Sequence, residues 1–264
     1  MTTDPRPLPA SLSLEGKRGL IIGIANDRSI AWGCARACHQ LGAELAITYL
    51  DDHALPHVAP LADQVGCELL MPLNVRDEHQ METLFETLTD RWGRLDFVLH
   101  SIAYAPAEDL KGRLVDCSRE GFNDAMTVSC HSFLALCRLA EPLMTEGGTL
   151  FTMTYHGSQK VVEGYHVMGP VKAALEAATR YMAAELGPKG IRVHALSPGP
   201  MKTRAASGLS RFDDLLQKAQ ERSPSSSLPD VDDVGMTMAY LATDAARMLT
   251  GDALYVDGGV HLIS

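Results

Sequence analysis

The chain has 264 residues, 46% of them hydrophobic and 21% charged, a composition that excludes a disordered or fibrous chain and suits one large globular α/β unit. Its formal net charge of −10, without a long block of Lys or Arg, excludes a phosphate-binding nucleic-acid face. Apolar runs such as GLIIGIA are too short to span a membrane, and the opening MTTDPRPLPASL has prolines where an export signal needs an apolar block.

In chain order, residues 1–12 are expected to form a loose arm ahead of a single domain at 13–264. Short β-branched or Leu-rich runs then alternate with amphipathic stretches of helical length, which predicts a parallel sheet covered on both faces. The first strand is predicted at 18–23 and runs into GIANDRSIAWG, a turn that opens a helix. Gly23, Ser29 and Ile30 thus stand where a dinucleotide's pyrophosphate would meet free backbone N–H groups and a positive helix end. Five residues separate Gly23 from Ser29, and Gly33 comes only inside the helix, so this is not the usual Gly-x-Gly-x-x-Gly spacing. A plain strand-to-helix turn with Ser29 as its cap is the other reading.

The second strand, 44–50, leads into Asp51 and Asp52; carboxylates beside a ribose would repel a 2′-phosphate, which favours NADH over NADPH. Neither the HALPH stretch at 53–57 nor Cys34, Cys38 and His39 completes a metal set, so no metal is expected. The third strand, 67–75, ends on Asn74 and Val75, where the Asn74 amide could pair with an adenine edge. Met81, Leu84, Phe85, Leu88 and Trp92 then fall at helical spacing and predict a helix with one buried stripe. The fourth strand, 95–103, ends on Ser101, Ile102 and Ala103, small enough in part to let a ribose approach the backbone.

The fifth strand is predicted at 148–155 and the sixth at 191–198, the latter followed by SPGPMKT, whose Thr203 could reach a phosphate or a carboxamide. Residues 201–229 insert a polar helical segment and a Ser/Pro-rich hinge before the seventh strand at 253–259. That insertion gathers Lys202, Arg204, Arg211, Lys218 and Arg222 beside an apolar face of Phe212, Leu215 and Leu216, with Asp213, Asp214 and Glu221 diluting the charge. The six cysteines, Cys34, Cys38, Cys67, Cys117, Cys130 and Cys137, show no CxxC pair and are read as reduced thiols of a cytoplasmic protein. Together these elements predict a single-domain, doubly wound (Rossmann-type) fold with a seven-stranded parallel sheet and helices on both faces.

Between the fifth and sixth strands, YHVMGPVK places Tyr165 seven positions before Lys172 and ahead of the helical run AALEAATRYMAAELG. Seven helical residues would set both side chains on one face, about 10 Å apart along the axis. The Lys172 ammonium could then bind ribose hydroxyls and make the Tyr165 phenol more acidic.

This Tyr-x6-Lys spacing resembles the short-chain dehydrogenase/reductase superfamily, and from about residue 13 onward the chain is similar to its enoyl-acyl-carrier-protein reductase branch. The resemblance rests on GIANDRSIAWG, on a second tyrosine, Tyr155, ten residues before Tyr165, and on HSIAYAP, SPGPMKTRAASG and GDALYVDGG. It implies that hydride passes from NADH to the β-carbon of a 2-enoyl thioester and that Tyr165 stabilises the enolate oxygen. It also implies that Lys172 anchors the ribose, that Tyr155, Ala205 and Phe212 border the substrate, and that Met201 offers backbone atoms to the carboxamide. Ser29, Ile30, Asn74, Val75, Ser101, Ile102, Ala103 and Thr203 would surround the coenzyme. Asn74 stands where the family usually has Asp, Ala103 replaces a common glycine and Leu50 a polar residue.

The resemblance further implies Tyr165 at the start of its helix, Gly169 clearing room for a neighbouring backbone or a ribose, an acyl carrier protein or coenzyme A as the thioester carrier, and a homotetramer. Two other readings are an ordinary carbonyl-reducing dehydrogenase, with Thr152 assisting Tyr165, and a dinucleotide sensor without turnover.

Overall fold

In the computed structural model, residues 9–203 and 212–263 are described. All seven expected strands form: β1 (Arg18–Ile22), β2 (Glu44–Tyr49), β3 (Leu69–Pro72), β4 (Phe97–His100), β5 (Gly148–Met153), β6 (Ile191–Pro198) and β7 (Ala253–Val256). They make one parallel sheet in the order β3-β2-β1-β4-β5-β6-β7. The order reverses at β1, which pairs with β2 on one side and β4 on the other, and this opens a crevice at the carboxyl ends of those strands.

Eight α-helices complete the described chain: α1 (Ile30–Gln40), α2 (Leu55–Gln64), α3 (Glu78–Trp92), α4 (Arg119–Met126), α5 (Ser132–Ala140), α6 (Met168–Leu186), α7 (Phe212–Arg222) and α8 (Val231–Ala242). One core packs β-strand side chains under α3, α4, α5 and α6; the other packs them under α1, α2 and α8. α3 buries Met81, Leu84, Phe85 and Leu88 as the spacing predicts, with Asp77 capping its start and Gly93, at φ 66°, ending it.

Strand ends differ from the sequence reading by a few residues. β4 stops at His100, although Ser101 N–H still donates to Ile22 O at 3.0 Å, and β7 stops before Gly258 and Gly259, whose positive φ values turn the chain away. A π-turn, Thr127–His131, joins α4 to α5 without breaking the rod. Of the expected arm, Ala10–Leu12 form one short 3-10 turn, and residues 1–8 lie outside the described residues.

Gly33 has a packing role. A Cβ there would lie 2.0 Å from Val231 O, and one on Gly235 would lie 2.3 Å from Gly33 O, so the two glycines let α1 and α8 cross backbone to backbone. Among the described residues all six cysteines are free thiols, and no helix is long and apolar enough to cross a membrane.

Candidate active site

Because every strand runs the same way, the residues singled out after β1, β3, β4, β5 and β6 collect along one edge of the sheet. Gly23 follows β1 at φ 107°, and a Cβ there would sit 2.1 Å from Ser101 O. Only glycine lets the chain leaving β1 pass this close to the end of β4. Ser29 precedes α1 and is buried, but it does not cap that helix with its side chain. Its Oγ instead accepts from Ala25 N–H at 2.9 Å and Asn26 N–H at 3.1 Å, folding the turn back on itself. No side chain caps the first N–H groups of α1, which leaves the turn able to receive an anion.

Asn74 lies two residues beyond β3; its Oδ1 accepts from Arg76 N–H at 3.1 Å, so the carboxamide N–H₂ is the part left to meet an adenine edge. Val75 is buried in the core. Ser101 and Ile102 are half-buried, and Ala103 is exposed at the end of β4. The segment is steadied by Ser129 Oγ, which accepts from Tyr104 N–H at 2.8 Å and donates to Tyr104 O at 2.9 Å. Beyond β6, Met201 is buried and its carbonyl accepts from Thr203 N–H at 2.8 Å. Asp51 Oδ1 accepts from Ala54 N–H at 2.9 Å, which fixes one of the two carboxylates after β2.

Tyr165 and Lys172 do not share a regular helix. α6 begins at Met168, and Tyr165 lies in the preceding turn, with His166 in the left-handed region at φ 40°. The expectation of two side chains stacked along one helix face is therefore corrected to one in a turn and one in the second turn of α6. Pro170 is the third residue of α6, where the helix has no N–H partner to lose. Gly169 is shaped by a neighbouring backbone, since a Cβ would approach Gly157 O to 3.1 Å.

Lys172 is 4% exposed, and its Nζ donates to Met153 O at 2.7 Å at the end of β5. Burial lowers its pKa from 10.5 to about 8, with Cys130 and Glu176 opposing that shift. Tyr165 meets Tyr155 edge-on with ring centroids 5.1 Å apart, and a Cβ on Gly157 would lie 2.6 Å from the Tyr165 ring. Burial pushes the Tyr165 phenol well above its usual range, with Tyr155 and Glu176 adding to the effect; Tyr155 is raised by burial and then by Asp257. In the free protein desolvation of the phenolate dominates, so the Tyr165 phenol stands above its ordinary value.

Thr152 does not assist Tyr165. It is fully buried, and its Oγ1 lies 3.2 Å from His100 Nδ1. Ser132 Oγ donates to Val128 O at 2.7 Å, so it accepts from His100 Nε2–H at 2.8 Å, which leaves Nδ1 to accept from Thr152. Burial, with Lys172 adding to it, holds the His100 pKa at about 3.

In the insertion, residues 204–211 lie outside the described residues, and with them Ala205, Arg204 and Arg211. Phe212, Leu215 and Leu216 are half-buried on α7. The expected basic rim is partly neutralised: Lys202 pairs with Asp213 at 3.3 Å, and Lys218 approaches Glu163 at 4.0 Å, just ahead of Tyr165. Sequence reasoning missed Glu176, Thr154, Ser158 and His100; only the placement of Glu176 four residues after Lys172 was visible in the chain.

The doubly wound sheet, the glycine turn after β1 and the Tyr/Lys pair at the carboxyl edge define the class as a short-chain dehydrogenase/reductase. The model of the family described as enoyl-(acyl carrier protein) reductase matches residues 23–261. The chain is 43% identical over 251 residues to an enoyl-[acyl-carrier-protein] reductase [NADH] of Rhizobium meliloti, covering 95% of this chain and 94% of that protein. It is similar to the crystal structure of a Bacillus cereus enoyl-acyl carrier protein reductase with NADP+ and an indole naphthyridinone, with TM-score 0.93 and 42% identity over 95% of this chain and 98% of that one. It is also similar to the Anaplasma phagocytophilum reductase in complex with NAD, with TM-score 0.90 and 43% identity over 95% and 94% of the two chains. The chain belongs to the enoyl-acyl-carrier-protein reductase family.

Proposed function

We propose that this chain is an NADH-dependent enoyl-acyl-carrier-protein reductase that saturates the 2,3 double bond of a trans-2-enoyl thioester in fatty acid biosynthesis. The observation that carries the reading is the ring pair of half-buried Tyr155 and buried Tyr165 just ahead of α6, whose second turn holds the buried Lys172 on Met153 O at the carboxyl edge of a dinucleotide-type sheet. The residues present fit a dinucleotide. Gly23 lets the ends of β1 and β4 approach backbone to backbone beneath the turn, the turn before α1 presents N–H groups, and the Lys172 ammonium, which can donate three hydrogen bonds, donates one to Met153 O.

When bound, NADH supplies the hydride that reaches the substrate's β-carbon. Gly23, Ser29 and Ile30 hold the pyrophosphate side, and Asn74 and Val75 the adenine side. Ser101, Ile102, Ala103, Met201 and Thr203 flank the nicotinamide half, and Lys172 donates to ribose hydroxyls. Tyr165, whose raised pKa keeps its hydroxyl protonated at neutral pH, donates from Oη to the thioester oxygen as that oxygen gains negative charge. Tyr155 orients the thioester from the other side of the ring pair, and Phe212 borders the acyl chain. The exposed carboxylates of Asp51 and Asp52 disfavour a 2′-phosphate.

The thioester is carried by acyl carrier protein or coenzyme A, and the free thiols support a cytoplasmic setting. A homotetramer follows from the family resemblance, and sedimentation of the purified protein tests it. The deciding experiment compares NADH oxidation with crotonyl and acetoacetyl thioesters. Loss of NADH absorbance on the first supports the reading, turnover of the second alone replaces it with carbonyl reduction, and binding without turnover replaces it with a sensor.

A further inference from the structure

Glu176 is a carboxylate only 5% exposed, one turn beyond Lys172 on α6. Its Oε1 accepts from Thr154 Oγ1 and Ser158 Oγ, both at 2.6 Å. Thr154 immediately precedes Tyr155, and Ser158 ends the 3-10 turn His156–Ser158 that follows it, so one oxygen grips the chain on both sides of that tyrosine. A buried carboxylate is unfavourable unless it is hydrogen-bonded and paired, and short bonds to a charged acceptor are strong ones. On the same helix face stands the cation of Lys172.

We propose that Glu176 is a positioning residue with two tasks: its charge keeps Lys172 cationic through neutral pH, and its hydrogen bonds clamp the Tyr155 turn onto α6. The proposal rests on the roles given above to Lys172 and Tyr155. The groups facing this pair come from several elements: Cys130 from the π-turn, His100 from β4, Tyr155 and Tyr165 from the segment before α6, and Tyr255 and Asp257 from the end of β7.

Cys130 precedes Glu176 among the influences that support the Lys172 charge, but burial pushes that thiol up, so it is a neutral S–H at pH 7. Tyr155, Tyr165 and Tyr255 are likewise raised and stay protonated, and His100 stays neutral. Asp257 is engaged by His261 Nδ1 at 2.9 Å. Glu176, held by two hydroxyls one turn along α6, is thus the carboxylate placed to oppose the desolvation of Lys172.

The test is NADH binding to the full-length protein, followed by nucleotide fluorescence from about pH 6 to about pH 10. In the wild type, log Kd is flat below about pH 8, where free Lys172 is charged, and rises above it. Glu176→Gln keeps an oxygen for both hydroxyls and removes the charge. Its break shifts about one unit lower, so that Kd is weaker by about fivefold at pH 8, by about tenfold above pH 9, and nearly unchanged at pH 6. A wild-type break in this variant overturns the proposal. Glu176→Asp keeps the charge and shortens the reach; its break stays in place while KM for a crotonyl thioester rises on the order of fivefold. Should the Gln variant not fold, an unchanged KM in Glu176→Asp overturns the proposal by itself. Lys172→Met separates the two levels: retention of the wild-type pH profile there sinks the reading of Lys172, whereas loss of the break there with an unshifted Glu176→Gln sinks only the role of Glu176.

Discussion

Two turns meet at the carboxyl edge of the sheet, and they are held by different physics. The turn from β1 to α1 is shaped by short-range sterics and backbone bonds: Gly23 at positive φ, and Ser29 closing on N–H groups three and four residues back. The segment from β5 to α6 is held by buried charge, with Lys172 on Met153 O and Glu176 on Thr154 and Ser158. The first can be rigid before any ligand arrives, because glycine sterics and hydrogen bonds between neighbouring residues shape it. The second depends on protonation state, so the reaction side is the part of the molecule that responds to pH.

The largest effect expected from breaking this contrast is on chemistry. Tyr165→Phe removes the hydroxyl donor and keeps the ring against Tyr155, so kcat on a crotonyl thioester should fall by about 10²–10³ with NADH affinity retained. A variant within a few-fold of wild type would mean that the oxygen is stabilised elsewhere.

On the steric turn, Gly23→Ala forces a methyl group against Ser101 O and strains a positive φ. A loss of about 3 kcal/mol in stability, read by denaturant unfolding, is expected together with weakened NADH binding at every pH. Lys172→Met should separate stability from function. The lowering of its pKa from 10.5 to about 8 means that the folded state disfavours the ammonium by about 3 kcal/mol. With a depressed pKa on a base, that penalty is complete below about pH 8 and is relieved as pH rises from there towards 10.5. The Met variant should therefore unfold no more easily than wild type at pH 7 while it binds NADH more weakly; a sharply lower Tm would contradict the assignment.

Ser29→Ala should have the smallest effect. It strands the Ala25 and Asn26 N–H groups and removes one hydroxyl, for about 1–2 kcal/mol in NADH affinity that does not vary with pH. A pH-dependent loss would show that the two turns are coupled after all.

Much of this arrangement was legible in the chain, and the reasons are local. Gly23, Ser29 and Ile30 announce a strand-to-helix turn because the residues that shape it lie within a few positions of each other. The helix at Glu78–Trp92 is equally plain, with its cap, stripe and terminal glycine all in sequence. Tyr165 was misplaced because the helical run after it invites extension backwards, whereas His166 at φ 40° interrupts it. The hydrogen bonds of Glu176 reach back 22 residues to Thr154 and 18 to Ser158, and His100 finds Thr152 across 52, distances over which no periodicity carries information.

By itself the sequence determined the parallel, doubly wound architecture and the glycine turn after the first strand, because repeating polarity and backbone chemistry act over short stretches, and its Tyr-x6-Lys spacing marked Tyr165 and Lys172 as the candidate pair. The tertiary structure alone decided which groups are desolvated together. Burial raises the phenols and lowers the ammonium, and the fold brings Thr154 and Ser158 onto Glu176; none of these follows until distant strands and helices exclude water from the same place.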